Sequence, residues 1–164
     1  MTDEYAAMPI EMKKVAAFFG KEVLREVDEQ EFYAKIAEIR KETGDRAALR
    51  AMHFFDENRR VQMQVRALKN DNFAAFLNYV NESGNASWEL LQNITPLGAT
   101  AHQEMALTLA LCRKLLGGEG AVRVHGGGFA GTVLAFVSNE KFGQFKNAID
   151  SAIGNGRTQE LHIR

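Results

Sequence analysis

Apolar residues recur at three- and four-residue spacing through most of the chain, and give way to short runs and alternation only in its last third. Met12, Val15, Ala16 and Phe19 predict a first helix that begins near Pro9, a residue suited to the first helical position, and stops at Gly20. Thr2 to Met8 reads as the tail of an earlier element, so the chain is expected to open within a continuing structure. An extended link, Val23 to Val27, follows. Asp28 with Glu31 makes a capping box, and Phe32, Ile36 and Ile39 supply the stripe of a helix that Gly44 closes. Asp45 is the expected cap of a longer helix carrying Leu49, Met52, Phe55, Val61, Val65 and Leu68. Asn70-Asp71-Asn72 breaks it before a further apolar-periodic run, Phe73 to Val80.

Ser83 to Ser87 interrupts this pattern, and Trp88, Leu90 and Leu91 resume it for a turn or two. Ile94 to Ala99, with Pro96 and Gly98, reads as an ordered loop, and Thr100 with Gln103 as a second capping box for a helix ending at Leu116. Two strands are then expected, Ala121 to Val124 and Thr132 to Val137, joined by a loop dense in glycine. Ser138 or Asn139 caps a last helix with Phe142, Phe145, Ile149 and Ile153 on one face, and Thr158 to Ile163 alternates as a third strand. The order implies an α+β fold: a small, mostly antiparallel sheet covered by helices, with a helical N-terminal half. No repeat or linker divides the chain, so residues 1–164 are expected to form a single domain. A sheet of three strands leaves an exposed edge, which points to a missing partner strand or to a homodimer through that edge.

Composition narrows the function. The net charge of −1, with both signs interspersed, provides no field for gathering nucleic acid or anionic lipid. No apolar run reaches membrane-spanning length, and the acidic N-terminus is unlike a secretory signal; a soluble, cytoplasmic protein is expected. Cys112, the single cysteine, falls in an apolar helical run and reads as a buried structural thiol.

The chemistry is expected in the loop Arg123-Val124-His125-Gly126-Gly127-Gly128-Phe129-Ala130-Gly131. Gly126, Gly128 and Gly131 match the spacing of a dinucleotide fingerprint, but the loop opens a β-branched strand where that fingerprint needs a helix. No Lys-Ser or Lys-Thr closes the run, which excludes a Walker A loop. Two readings stay open: a tight connection between strands, or a nest of N–H groups with a phosphate-related role. His125 reads as a structural hydrogen-bonding residue that could alternatively face a phosphate. Arg46, Arg50, Arg59 and Arg60 alternate with acids on one long helix and read as a solvated face, with an arginine-lined anion wall as the alternative. The histidines, His53, His102, His125 and His162, show no metal spacing. No nucleophile with an adjacent base stands out.

The segment from Arg123 to Thr132 resembles the third conserved motif of galactokinases, members of the GHMP small-molecule kinase superfamily, with His125 where threonine is usual and Ala130 where glycine is usual. Asp3-Glu4-Tyr5, Lys21 to Val27, Arg50-Ala51-Met52-His53 and Asn81-Glu82-Ser83 fall in the order and rough spacing of galactokinase C-terminal halves, so the resemblance extends over essentially the whole chain. After Ser83 the chain departs from the family's usual histidine and acidic segment.

The resemblance implies a ferredoxin-like GHMP C-terminal fold and transfer of the γ-phosphoryl group of Mg-ATP to the anomeric hydroxyl of α-D-galactose or a related sugar. It implies that Tyr5 binds the sugar, and that Gly126, Gly127, Gly128, Phe129 and Gly131 border the active cleft, with Arg123 and His125 in support. ATP and Mg would be held mainly by an N-terminal kinase domain, the partner of this one. The Gly-Glu-His sugar motif, the ATP-phosphate loop and the catalytic Asp and Arg of that domain are not found in these residues. This chain by itself is therefore expected to bind no cofactor, to contribute no catalytic residue and to be inactive. A freestanding sugar-binding or interaction module derived from such a kinase is the alternative.

Overall fold

The computed structural model describes residues 2–162. Helix α1 (Thr2–Phe18) runs into a 3-10 turn at Leu24–Glu26, then α2 (Glu29–Ala34) and α3 (Ile36–Thr43). The long α4 (Asp45–Lys69) and α5 (Phe73–Ala86) follow, and α5 passes directly into a π-turn at Ser87–Leu91. After α6 (Glu104–Leu116) come strands β1 (Ala121–His125) and β2 (Thr132–Phe136), then α7 (Asn139–Ile153).

The strands pair antiparallel, with Ala121 opposite Phe136 and His125 opposite Thr132. Alternation sends Val122, Val124, Val133 and Ala135 to one face, where they meet Leu109, Cys112 and Leu116 of α6 and Phe145 and Ile149 of α7. The other face receives α5: Phe76 meets Phe136 edge-on with ring centroids 5.6 Å apart. A Cβ on Gly84 would lie 2.8 Å from the Val122 carbonyl oxygen, so only glycine lets the helix come this close. A second core joins α1 to α4 through Val15, Ala16, Phe32, Ile39, Ala51 and Phe55. The architecture is α+β, as the order of elements predicts.

Several boundaries differ from the sequence reading. The first helix starts at Thr2, with Pro9 inside it. An interior proline costs about 3 kcal/mol, and the early turns are held by tertiary bonds instead: Tyr5 Oη donates to Gly128 O, and Glu4 Oε1 accepts from Leu97 N. The expected link at Val23–Val27 winds into the 3-10 turn, because buried Leu24 draws it against the helical core. Asp28 caps α2 by accepting from Glu31 N, but the helix breaks at Lys35. Asp45 is the first residue of α4 and pairs with Arg40 rather than capping. Ser83 to Ser87 does not interrupt the helix, since the small side chains there are what the sheet packs against. At α6 the cap position is Gln103, whose side chain donates back to Ala99 O, so the Thr100 box does not form. Residues 158–162 form no strand among the described residues; Thr158 is instead tied to α7, its N–H donating to Asp150 and its carbonyl accepting from Lys146 Nζ. Ile163, the end of that expected strand, lies outside the described residues.

Candidate functional site

The loop between β1 and β2 is folded into a tight knot. Gly128 stands at φ +86°, and a Cβ there would lie 2.0 Å from the carbonyl oxygen of Asn93. Phe129 follows at φ +52°, a left-handed conformation that costs a non-glycine residue about 1–2 kcal/mol. Such a conformation persists only where neighbouring contacts over-determine it. Here Phe129 N donates to Asn93 O at 2.7 Å, and the Phe129 ring is buried edge-on to Tyr5 with centroids 5.3 Å apart.

Tyr5 completes the arrangement from α1. Its hydroxyl donates to Gly128 O at 2.6 Å, and the same carbonyl accepts from Ala130 N at 2.6 Å and Gly131 N at 3.0 Å. The Tyr5 ring lies flush on Gly127, where a Cβ would come within 2.6 Å of its Cε1. Asn93 Nδ2 donates to Gly127 O at 3.2 Å from a side chain that is only 2% exposed. Two carbonyls and one N–H of the loop are thus gripped by residues far from it in sequence.

Of the residues expected to form the site, the structure brings together Tyr5, Gly127, Gly128 and Phe129, with Gly126 and Gly131 at the two ends of the turn. His125 is exposed and takes no part in these contacts; the strand ends with its side chain facing outward. Arg123 points away from the loop: its Nε donates to Val124 O at 2.9 Å, and its Nη1 lies 3.6 Å from Glu57 on α4.

Arg123 belongs to a separate polar seam along α4. Glu57 accepts from Ser83 Oγ and from Arg60, next to buried His53. Burial pushes the His53 imidazole below its ordinary pKa, with the Glu57 charge opposing that shift. One turn earlier Arg50 is 0% exposed, its Nε donating to Leu91 O at 3.0 Å and its Nη1 to Glu11 Oε2 at 2.8 Å. Burial raises the pKa of Glu11, but Arg46 and Arg50 outweigh it and hold the carboxyl below the usual range. The expected solvated arginine face is therefore corrected for Arg50. A polar stripe at 46, 50, 53, 57 and 60 carries the helical period and was the one sequence signal available for it. Asn93 was missed outright, since a lone asparagine in a loop is ordinarily just a turn residue.

The N–H groups of Phe129, Ala130 and Gly131 are engaged by protein carbonyls, so these three are not available to an anion nest. Among the described residues no three His, Cys, Asp or Glu side chains converge as a metal set. Among them also, no helix is long and apolar enough to cross a membrane.

No family model matches the chain. It is 30% identical over 141 residues to the galactokinase of Glaesserella parasuis serovar 5, covering 86% of this chain and 35% of that protein. It is likewise 30% identical over 149 residues to the galactokinase of Mannheimia succiniciproducens, covering 91% of this chain and 37% of that one. The fold superposes on the crystal structure of Lactococcus lactis galactokinase complexed with galactose with a TM-score of 0.68 at 22% identity, over 93% of this chain and 37% of that one. The chain spans little more than a third of the length of these relatives and is homologous to their C-terminal part.

Proposed function

We propose that the chain is the C-terminal domain of a galactokinase-like sugar kinase, in which ATP phosphorylates the anomeric hydroxyl of α-D-galactose. The observation that carries this reading is the junction of Tyr5 with the glycine loop. Tyr5 uses its proton on Gly128 O, which leaves the hydroxyl oxygen free to accept from a sugar hydroxyl at the edge of the loop. Phosphoryl transfer depends chiefly on positioning and electrostatics, and a wall held by buried contacts suits the positioning part. Gly126 to Gly131 would form that wall, and residues 1–164 a single cytoplasmic domain beside the N-terminal kinase domain.

ATP, Mg and the catalytic groups are assigned to the N-terminal domain. The isolated chain is accordingly inactive. The test is a chimaera in which this chain replaces the matching C-terminal part of the Glaesserella parasuis galactokinase. Turnover of galactose with ATP is expected from the chimaera and none from the isolated chain. A folded chimaera with no galactose turnover would overturn the assignment, and turnover by the isolated chain would overturn its inactivity.

A second reading, an interaction module, is favoured by one observation. The outer edge of β1 is met by Asn81, whose side chain accepts from Val122 N at 3.0 Å and donates to Gly120 O at 3.1 Å. Among the described residues β2 has β1 as its sole strand neighbour, and Thr132-Val133-Leu134-Ala135-Phe136 carries no charge to discourage pairing. A homodimer through that edge would show as a doubled mass in sedimentation, abolished by Ala135→Pro. A monomer at all concentrations would remove this reading.

A further inference from the structure

We propose that Arg50 is a positioning residue for the glycine loop, acting through the Leu91 carbonyl and Asn93. The proposal goes beyond the sugar-kinase reading and rests on it only in taking the loop as the border of a cleft.

A ring of bonds runs through the molecule. Tyr5 on α1 donates to Gly128 O in the loop, and the loop is gripped by Asn93 through Gly127 O and Phe129 N. Asn93 stands two residues beyond Leu91, the last residue of the π-turn, and the intervening Gln92 is left-handed at φ 56°. Arg50 Nε holds the Leu91 carbonyl at 3.0 Å, and its Nη1 reaches Glu11 on the same helix as Tyr5. Arg50 thus ties together the two supports of the loop, the π-turn that presents Asn93 and the helix that presents Tyr5.

The geometry explains why this residue is arginine. A fully buried guanidinium carries a desolvation penalty of several kcal/mol, and a buried stabilising residue would more simply be apolar. Its planar fork donates in two directions at once, from Nε to a carbonyl and from Nη1 to a carboxylate. A lysine has a single donor atom and cannot bridge both partners in that way. The π-turn ends in a carbonyl that no regular helix continues to satisfy, followed by a left-handed residue, so its direction needs an outside donor. The direction of that carbonyl sets where Asn93 begins, and Asn93 closes on the left-handed Phe129.

The experiment is amide hydrogen exchange by NMR on the 164-residue chain, wild type against Arg50→Lys. Exchange of the Phe129 amide is expected to accelerate about tenfold, while the Val122 and Val124 amides of β1 change by less than about twofold. Equal acceleration of all three, or none at Phe129, would overturn the proposal, since a merely structural Arg50 would affect the whole fold. Should Arg50→Lys fail to fold, the wild type decides alone. The protection factors of the Arg50 Nε–H and the Phe129 N–H, each referred to its own intrinsic exchange rate, are then expected to agree within about threefold, as members of one opening unit. An Nε–H exchanging freely while Phe129 stays protected would refute the coupling. These readouts report loop geometry in this chain, and the chimaera reports the reaction, so either can fail without the other.

Discussion

Tyr5 and Gly128, 123 positions apart in the chain, are joined by a 2.6 Å hydrogen bond from a phenol to a loop carbonyl. That bond links the start of the helical half to the hairpin, and it makes the loop a tertiary structure rather than a local turn. Tyr5→Phe removes it while leaving Gly128 O two N–H donors, so the loss should be about 0.5–1.5 kcal/mol. Urea unfolding measures this, and an unchanged midpoint would mean the bond contributes nothing. Tyr5→Ala should cost more, because the edge-on contact with Phe129 goes too.

Gly128 and Gly143 should respond in opposite directions to added side chains. Gly128→Val must displace the Asn93 backbone and hold φ +86° with a β-branched residue, a loss on the order of 3 kcal/mol. Gly143 is exposed within α7 with nothing within 4 Å of its Cβ position. Gly143→Ala should therefore stabilise the chain by about 0.5–1 kcal/mol, read as a raised Tm.

His53 sets a pH dependence. Its folded-state pKa lies below the unfolded value because burial disfavours the imidazolium, so the unfolded chain binds the proton more readily. Stability should then fall as pH drops from about 7 towards 5. Glu57, Arg60 and Arg123 face the ring, and the two arginines oppose its protonation. Chemical denaturation of His53→Gln should show a smaller slope across this range; an equal slope would assign it elsewhere.

Cys112 should be nearly inert in the native state. Burial among the α6 side chains pushes its thiol up to about 11, so little thiolate is present near neutrality. Labelling by an aromatic disulfide reagent should be slow in buffer and fast in urea, with a rate that follows global unfolding. Rapid native labelling would show that α6 opens locally.

The apolar periodicity of α1, α3, α4 and α7 was legible because each of these helices buries a face, and the hairpin because its strands alternate around a glycine turn. Val61, Val65 and Leu68 carry the same periodicity yet are 50%, 46% and 50% exposed, since the far end of α4 has no described element over that face. Periodicity reports which residues share a face and says nothing of whether another element covers it.

By itself the sequence determined the order of elements, the position of the glycine loop and the resemblance that its motif carries, because all of these depend on residues close together in the chain. Tertiary structure alone decided what holds the loop. Tyr5, Asn93 and Arg50 come from α1, the segment after the π-turn and α4, and their roles exist only once those segments meet. Arg50 shows the physical reason: on a helix a charged residue reads as solvated, and only packing from α1 and the π-turn turns it into a buried donor.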